Sequence, residues 1–185
     1  MLKPWRKLTS KELGFYKIFR LREDQYESPI DGAQHRFFVL EAPEWINVVP
    51  VTPAGDILMV RQFRFGTEEF TLEVPSGMVD PEDPEPGHTA ARELREETGY
   101  VAKEMIRLGR AAANPAFLNN HCYTYLAQNV RLAGAQQLDG TEQITIELVP
   151  LAEVHRLIES GAITHSLTIM AMYWYGQYLA RQANS

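Results

Sequence analysis

The sequence predicts an α/β protein, and three observations carry that prediction. Short runs rich in β-branched and aromatic residues recur between glycine and proline turns over most of the chain. A glutamate-rich helical stretch, Arg92-Glu93-Leu94-Arg95-Glu96-Glu97, interrupts them and stops at Gly99. Two further helical stretches close the chain after Pro150. At 185 residues the chain is long enough for a full core. The expected organisation is a small N-terminal β extension, residues 1–42, ahead of one main domain, residues 43–185.

Residues 15–23 alternate, with Phe15, Lys17, Phe19 and Leu21 on one face, and their aromatics favour a strand. Ile30-Asp31-Gly32-Ala33 is a turn signal, and 35–40 reads as the returning strand of an antiparallel hairpin. Such a hairpin is marginal alone, so it needs a partner surface. Residues 45–51 and 57–61 are strands around the turn Pro53-Ala54-Gly55-Asp56. Residues 70–75 form another, running into Ser76-Gly77, where glycine permits a sharp turn and a close approach to ligand. The glutamate-rich helix is expected to start near His88 or Thr89, with Thr89 as N-cap and Pro86-Gly87 blocking an earlier start. Residues 105–112 and 122–128 read as strands flanking the polar loop 114–120. A loop over 133–142, bearing glycine and glutamine, leads into a strand ending at Pro150. Residues 151–159 make an amphipathic helix with Val154, Leu157 and Ile158 as its stripe, and Ser166 caps a last helix.

The formal net charge of −6 argues against a protein that coats nucleic acid, which would carry a basic face. It leaves room for a small anionic substrate, because a bound metal can supply positive charge. The single cysteine, Cys122, makes no internal disulfide and fits a reducing compartment. The N-terminus leads into no apolar signal region and no run approaches membrane-spanning length, so a cytoplasmic protein with no membrane partner is expected. His35, His121, His155 and His165 have no mutual ligand spacing, and a zinc site is not expected.

The chemistry concentrates in 77–100. Glu93 and Glu97 are four residues apart and share one helix face, with Glu96 beside them. Like charges at that spacing destabilise an isolated helix by a few tenths of a kcal/mol per pair. A divalent cation such as Mg²⁺, which takes hard oxygen ligands and commonly sits between carboxylates and substrate phosphates, reverses the sign. The competing reading of any glutamate-rich helix is a solvated acidic face.

This stretch resembles the Nudix box, Gly-x5-Glu-x7-Arg-Glu-φ-x-Glu-Glu-x-Gly-φ, where φ is apolar. Arg92, Glu93, Leu94, Glu96, Glu97, Gly99 and Tyr100 fit its second half. Its first half is one residue longer than the pattern, and Pro84 occupies the place of the loop glutamate, so Glu82, Asp83 or Glu85 stands in for it. The resemblance implies the Nudix α/β/α sandwich, a mixed sheet between helices, with the N-terminal hairpin packed across a homodimer interface. It implies hydrolysis of a pyrophosphate bond with Mg²⁺, for which Mn²⁺ can substitute. The implied ligands are Glu93, Glu97, Glu96 and the backbone carbonyl of Ser76, with Arg92 orienting the glutamates. A glutamate on the loop before an Ile-x-Ile strand acts as catalytic base in similar enzymes, and Glu142 occupies that place, although a solvated loop carboxylate is the alternative. The Gln-x-Arg after the second strand of the main domain resembles enzymes acting on ADP-ribose or other nucleoside diphosphate sugars. It implies phosphate binding by Arg64 and, more remotely, Arg61. Pro115, 16 residues after Gly99, matches the same subfamily, and Asn119 is a candidate for a sugar hydrogen bond. The implied substrate is ADP-ribose, giving AMP and ribose 5-phosphate. GDP-mannose and a non-catalytic nucleotide-sensing module are the alternatives, and dinucleoside polyphosphates or oxidised nucleotides come third.

Overall fold

The computed structural model describes residues 1–184, which form two compact units. One comprises residues 1–44 with 112–121, the other residues 45–111 with the chain from 122 onward.

The first unit is built on a three-stranded antiparallel sheet of β1 (Arg6–Phe15), β2 (Arg20–Glu27) and β3 (Gln34–Glu41), with β2 in the middle. The expected hairpin is there as β2 and β3, joined through the turn in which Gly32 takes φ 73°. The strand read over 15–23 straddles a second turn, where Lys17 is left-handed (φ 60°) and the Tyr16 N–H bonds the Phe19 carbonyl at 2.8 Å. The extra strand, β1, is polar because charge and hydrogen bonding, rather than an apolar face, hold it. Asp24, fully buried on β2, accepts bonds from Lys7 Nζ (2.7 Å), Ser10 Oγ (2.6 Å) and Arg22 Nε (3.2 Å). A buried carboxylate is tolerated only when its lone pairs are filled in this way. The segment 112–121 bonds to the end of the same unit: Asn119 Oδ1 accepts the Ala42 N–H (3.1 Å) and Asn120 Nδ2 donates to the Pro43 carbonyl (2.8 Å).

Among the described residues the second unit holds a seven-stranded mixed sheet. Its strands are β4 (Trp45–Val51), β5 (Asp56–Arg64), β6 (Glu69–Glu73), β7 (Ser76–Met78), β9 (Ile106–Ala112), β10 (His121–Gln128) and β12 (Thr145–Pro150). The order is β12-β5-β4-β10-β9, with β4 and β10 parallel. A separate short pair joins β8 (Tyr100–Val101) to β11 (Arg131–Leu132). The helices are α1 (Pro86–Thr98), α2 (Leu151–Glu159) and α3 (Ser166–Ala183).

Strand β4 explains why two helical layers are needed. Successive side chains of a strand face opposite ways, and both faces of β4 are buried. Ile46 and Val48 pack with Ala90 and Leu94 of α1. Val49 and Val51 pack with Val154 of α2 and Ala171, Met172 and Tyr175 of α3. The sheet is therefore sandwiched between α1 on one side and α2 with α3 on the other. Strands β4 and β5 pair at Val51 and Ile57 and then part: beyond that point β5 pairs with β6 and β4 with β7. The chain from 69 to 78 occupies the opening, and the candidate site forms around it.

Helix α1 starts earlier than its sequence suggests. Pro86 is its first residue, Glu85 takes the N-cap place without a side-chain cap bond, and Thr89 Oγ instead donates to Asp83 Oδ2 (2.7 Å). Proline suits the first helical position because its missing N–H would be unsatisfied there in any case. The helix ends as expected at left-handed Gly99 (φ 73°), whose N–H bonds the Arg95 carbonyl at 2.7 Å.

Candidate active site

Glu93 and Glu97 of α1 meet the turn that ends β6 and begins β7, while Glu96 turns onto Arg92. Glu97 is only 4% exposed, and its Oε2 accepts the Ser76 N–H at 3.1 Å. Glu93 lies against Gly77 so closely that a Cβ there would sit 2.3 Å from the carboxyl carbon. Only glycine leaves that space, so the glycine is needed for close approach rather than for an unusual φ. Arg92 Nη1 bridges Glu93 and Glu96 at 3.0 Å each, while Nη2 reaches Asp80 (3.0 Å) and Asp83 (3.4 Å). Of the three loop carboxylates that sequence left open, Asp83 bonds both Thr89 and Arg92, whereas Glu85 at the N-cap pairs with His88 (3.8 Å).

Burial, then the neighbouring charges of Glu93 and Glu142, push the Glu97 carboxyl up to about 8, against the pull of the Ser76 N–H and Arg64. Burial also raises Glu93, to about 7, against the opposing Arg92 and with the help of Glu96 and Glu142. Burial disfavours the Arg92 cation, but Glu93, Glu96 and Asp83 outweigh it and hold its pKa above the ordinary value. The helix face therefore concentrates negative charge in a partly dehydrated place, where ionised carboxylates are costly without a cation. Among the described residues, no three His, Cys, Asp or Glu side chains converge as a ready-made cation cage. Glu93 and Glu96 are turned onto Arg92 and Glu97 onto Ser76. The donor set nevertheless fits a hard divalent ion: carboxylate oxygens at raised pKa and a glycine cradle against one of them.

Beside this face lies a cleft of about 890 Å³ lined by Gln62, Arg64, Thr141, Glu142 and His165, with Phe63, Phe65 and Phe70 among the other lining residues. Arg64 is gripped by the fully buried Glu73, Nε to Oε1 at 2.7 Å and Nη2 to Oε2 at 2.6 Å. Burial would raise the Glu73 carboxyl, but Arg64, His165 and Thr71 overcome this and hold it below the usual carboxylate range. Gln62 Nε2 is a buried donor with no protein partner among the described residues. Glu142 sits on an exposed loop that is nonetheless tied to the C-terminal end of α1. Ala133 and Gly134 donate backbone N–H bonds to the Gly99 carbonyl (2.9 and 3.3 Å), and Gln137 donates to the Glu96 carbonyl (2.8 Å). Gln136 Nε2 donates to the Glu97 carbonyl (2.6 Å) and the Ile144 carbonyl (3.3 Å). The loop thereby satisfies carbonyls that a helix end leaves open, and Gly99 is again tight, since a Cβ would fall 2.2 Å from the Gly134 carbonyl oxygen.

Of the residues singled out by sequence, the structure groups Ser76, Arg92, Glu93, Glu96 and Glu97 on one face and Arg64 and Glu142 in the adjoining cleft. Arg61 goes elsewhere. It is three residues from Arg64 on one strand, so the two point to opposite faces, and Arg61 pairs with Glu147 of β12 at 2.6 and 3.3 Å. Pro115 and Asn119 belong to the first unit. Sequence reasoning passed over Glu73, His165 and Gln136. A signal existed for Glu73: a lone carboxylate inside the apolar run Phe70-Thr71-Leu72-Glu73-Val74 must be paired if that strand is buried.

No helix among the described residues is long and apolar enough to cross a membrane. A NUDIX domain profile matches residues 44–169. The chain is 31% identical over 168 residues, 90% of either protein, to an ADP-ribose pyrophosphatase of Bacillus subtilis (strain 168). It is 33% identical over 163 residues to an ADP-ribose pyrophosphatase of Mycobacterium tuberculosis (strain ATCC 25618 / H37Rv), covering 88% of this chain and 78% of the relative. A crystal structure of an ADP compounds hydrolase shares the fold, with a TM-score of 0.86 at 21% identity, over 100% of this chain and 99% of the other.

Proposed function

The chain belongs to the NUDIX family and is a pyrophosphatase of that family; on that premise we propose that it hydrolyses the pyrophosphate bond of ADP-ribose or a closely related nucleoside diphosphate sugar, with Mg²⁺ as its cation. The observation that carries the reading is the α1 face. It presses Glu93 and Glu97 together at raised pKa, directly beside a cleft that presents Arg64 and Glu142.

Glu93, Glu96, Glu97 and the Ser76 carbonyl are the groups that would hold the cation. A divalent ion bound there would supply positive charge to offset that of the diphosphate and would lower the pKa of water. The protein's own groups do the rest. Arg64 presents its guanidinium to phosphate oxygens, and Glu73 fixes the orientation of that fork. Glu142 takes the proton of the attacking water. Arg92 spaces Glu93 and Glu96 through the two bonds of Nη1. Attack at one phosphorus breaks its bond to the bridging oxygen, which leaves with the neighbouring phosphate, so ADP-ribose yields AMP and ribose 5-phosphate. Arg64 lines the cleft and Arg61, paired with Glu147, does not, so phosphate binding rests on Arg64 in this reading.

The enzyme is further proposed to be a cytoplasmic homodimer joined through the N-terminal extension. Support comes from Phe15, Tyr16, Ile18 and Phe38, each more than half exposed in the first unit.

The test is a phosphate-release screen with Mg²⁺ over ADP-ribose, GDP-mannose, UDP-glucose, NADH and diadenosine polyphosphates, with phosphatase added to free the product phosphate. ADP-ribose is expected to give the highest kcat/KM. Preference for GDP-mannose would move the sugar assignment, and no turnover on any of them would favour a nucleotide-sensing module.

A further inference from the structure

His165 has no part in the chemistry described so far, yet it lines the cleft next to Arg64 and Glu142. Its place is built rather than incidental. It sits at the N-cap position of α3, and α3 is pinned at that end by two bonds. Asn47 Nδ2 donates to the Leu167 carbonyl (3.0 Å), and the Val74 N–H donates to Thr168 Oγ (3.3 Å). The imidazole Nδ1 lies 3.1 Å from Thr168 Oγ and 3.4 Å from Glu73 Oε2. The Glu73 carboxylate, gripped by Arg64, can only accept. A bare Nδ1 lone pair facing it would be repelled, which favours the tautomer with the ring proton on Nδ1. Burial first, and then the Arg64 charge, keep the imidazole below its ordinary pKa despite the attraction of Glu73, so the ring is neutral at physiological pH. In that tautomer Nε2 carries a lone pair and no hydrogen.

We propose that His165 is a substrate-binding residue that reads a hydroxyl group: with Nδ1 turned to Glu73 and Thr168, Nε2 presents an acceptor to the cleft and takes a hydrogen bond from a sugar hydroxyl of the nucleoside diphosphate sugar. A lone pair in that position repels a phosphate oxygen, while Arg64 alongside attracts one. Glu73 thus fixes two neighbouring side chains of opposite preference, Arg64 for the anionic part of the substrate and His165 for its hydroxyl-bearing part. Sites built to bond a substrate hydroxyl discriminate against analogues that lack it, because the unmatched polar group is left without a partner.

The inference rests on the hydrolase reading, and the experiment separates the two. Steady-state kinetics with ADP-ribose and Mg²⁺ are compared for the wild type, His165→Asn and His165→Gln, together with competitive inhibition by inorganic pyrophosphate. Asparagine places an amide where Nδ1 was and is a strong helix N-cap, so the variant folds but lacks Nε2. Glutamine carries its amide out to the place of Nε2. His165→Asn is expected to raise KM about tenfold, equivalent to about 1.4 kcal/mol, with kcat within about twofold, while His165→Gln stays within about threefold of wild type, the range of a single hydrogen bond. The inhibition constant for pyrophosphate, which has no sugar hydroxyl, stays the same in all three proteins. An unchanged KM in His165→Asn, a glutamine variant as weak as the asparagine one, or a parallel loss of pyrophosphate binding overturns the assignment while leaving the hydrolase reading intact. Absence of wild-type turnover overturns both.

Discussion

Replacing Glu97 by glutamine should make the metal-free protein more stable while removing its activity. Glu97 is almost fully buried, and its carboxyl is raised from 4.5 to about 8 by burial and then by Glu93. A folded-state pKa above the unfolded value means that the contribution to stability is complete below the unfolded pKa and is lost as pH rises through the folded one. At pH 8 the burden of keeping this group folded is therefore about 4 kcal/mol, at 1.36 kcal/mol per pKa unit. At pH 5 it falls to about 1 kcal/mol by the same relation. Glutamine removes the charge and keeps an oxygen for the Ser76 N–H, but its new NH₂ needs a partner, at about 1–3 kcal/mol if it finds none. The expected net result for Glu97→Gln is about 1–3 kcal/mol of added stability at pH 8, and at pH 5 no gain, with a loss of up to about 2 kcal/mol. Urea unfolding in EDTA at the two pH values measures it, and kcat with Mg²⁺ measures the loss of function. A variant no more stable than wild type at pH 8, or equally stabilised at both, would mean that the helix face is not an electrostatically loaded cation site. Near wild-type activity would remove Glu97 from the ligand set.

Two further substitutions probe the same architecture. Gly77→Ala places a Cβ 2.3 Å from the Glu93 carboxyl carbon and must displace that side chain. Mg²⁺ activation should then need at least about tenfold more metal, one to two orders being the scale for losing a metal site's supporting contacts, and circular dichroism should show the fold retained. Glu142→Gln should lower kcat by about two orders of magnitude, the low end for a general base, with the Mg²⁺ activation constant unchanged; an unaltered kcat would move the base elsewhere.

What sequence could and could not read follows from distance along the chain. The α1 face was readable because Arg92, Glu93, Glu96 and Glu97 lie within one and a half helical turns, where spacing alone fixes who shares a face, and Gly99 closed the helix where a left-handed residue was needed. The start of α1 was misread because Pro86 can begin a helix as well as block one. Strand β1 was missed because Asp24 anchors it through Lys7 and Ser10, leaving no apolar alternation to see. The cleft was only half visible. Arg64 stood in a recognisable Gln-x-Arg, but its partner Glu73 comes from the adjoining strand and His165 from the start of the last helix. Those meetings depend on the parting of β4 and β5 and on the pinning of α3 by Asn47, neither of which leaves a local pattern.

The account is tested most directly by following ADP-ribose by phosphorus NMR with the purified protein, first in EDTA and then with Mg²⁺ added in excess. The diphosphate signals should persist in EDTA and be replaced on Mg²⁺ addition by those of AMP and ribose 5-phosphate in equal amounts. Diphosphate signals that survive unchanged in the presence of Mg²⁺, or hydrolysis that proceeds equally well in EDTA, would contradict it.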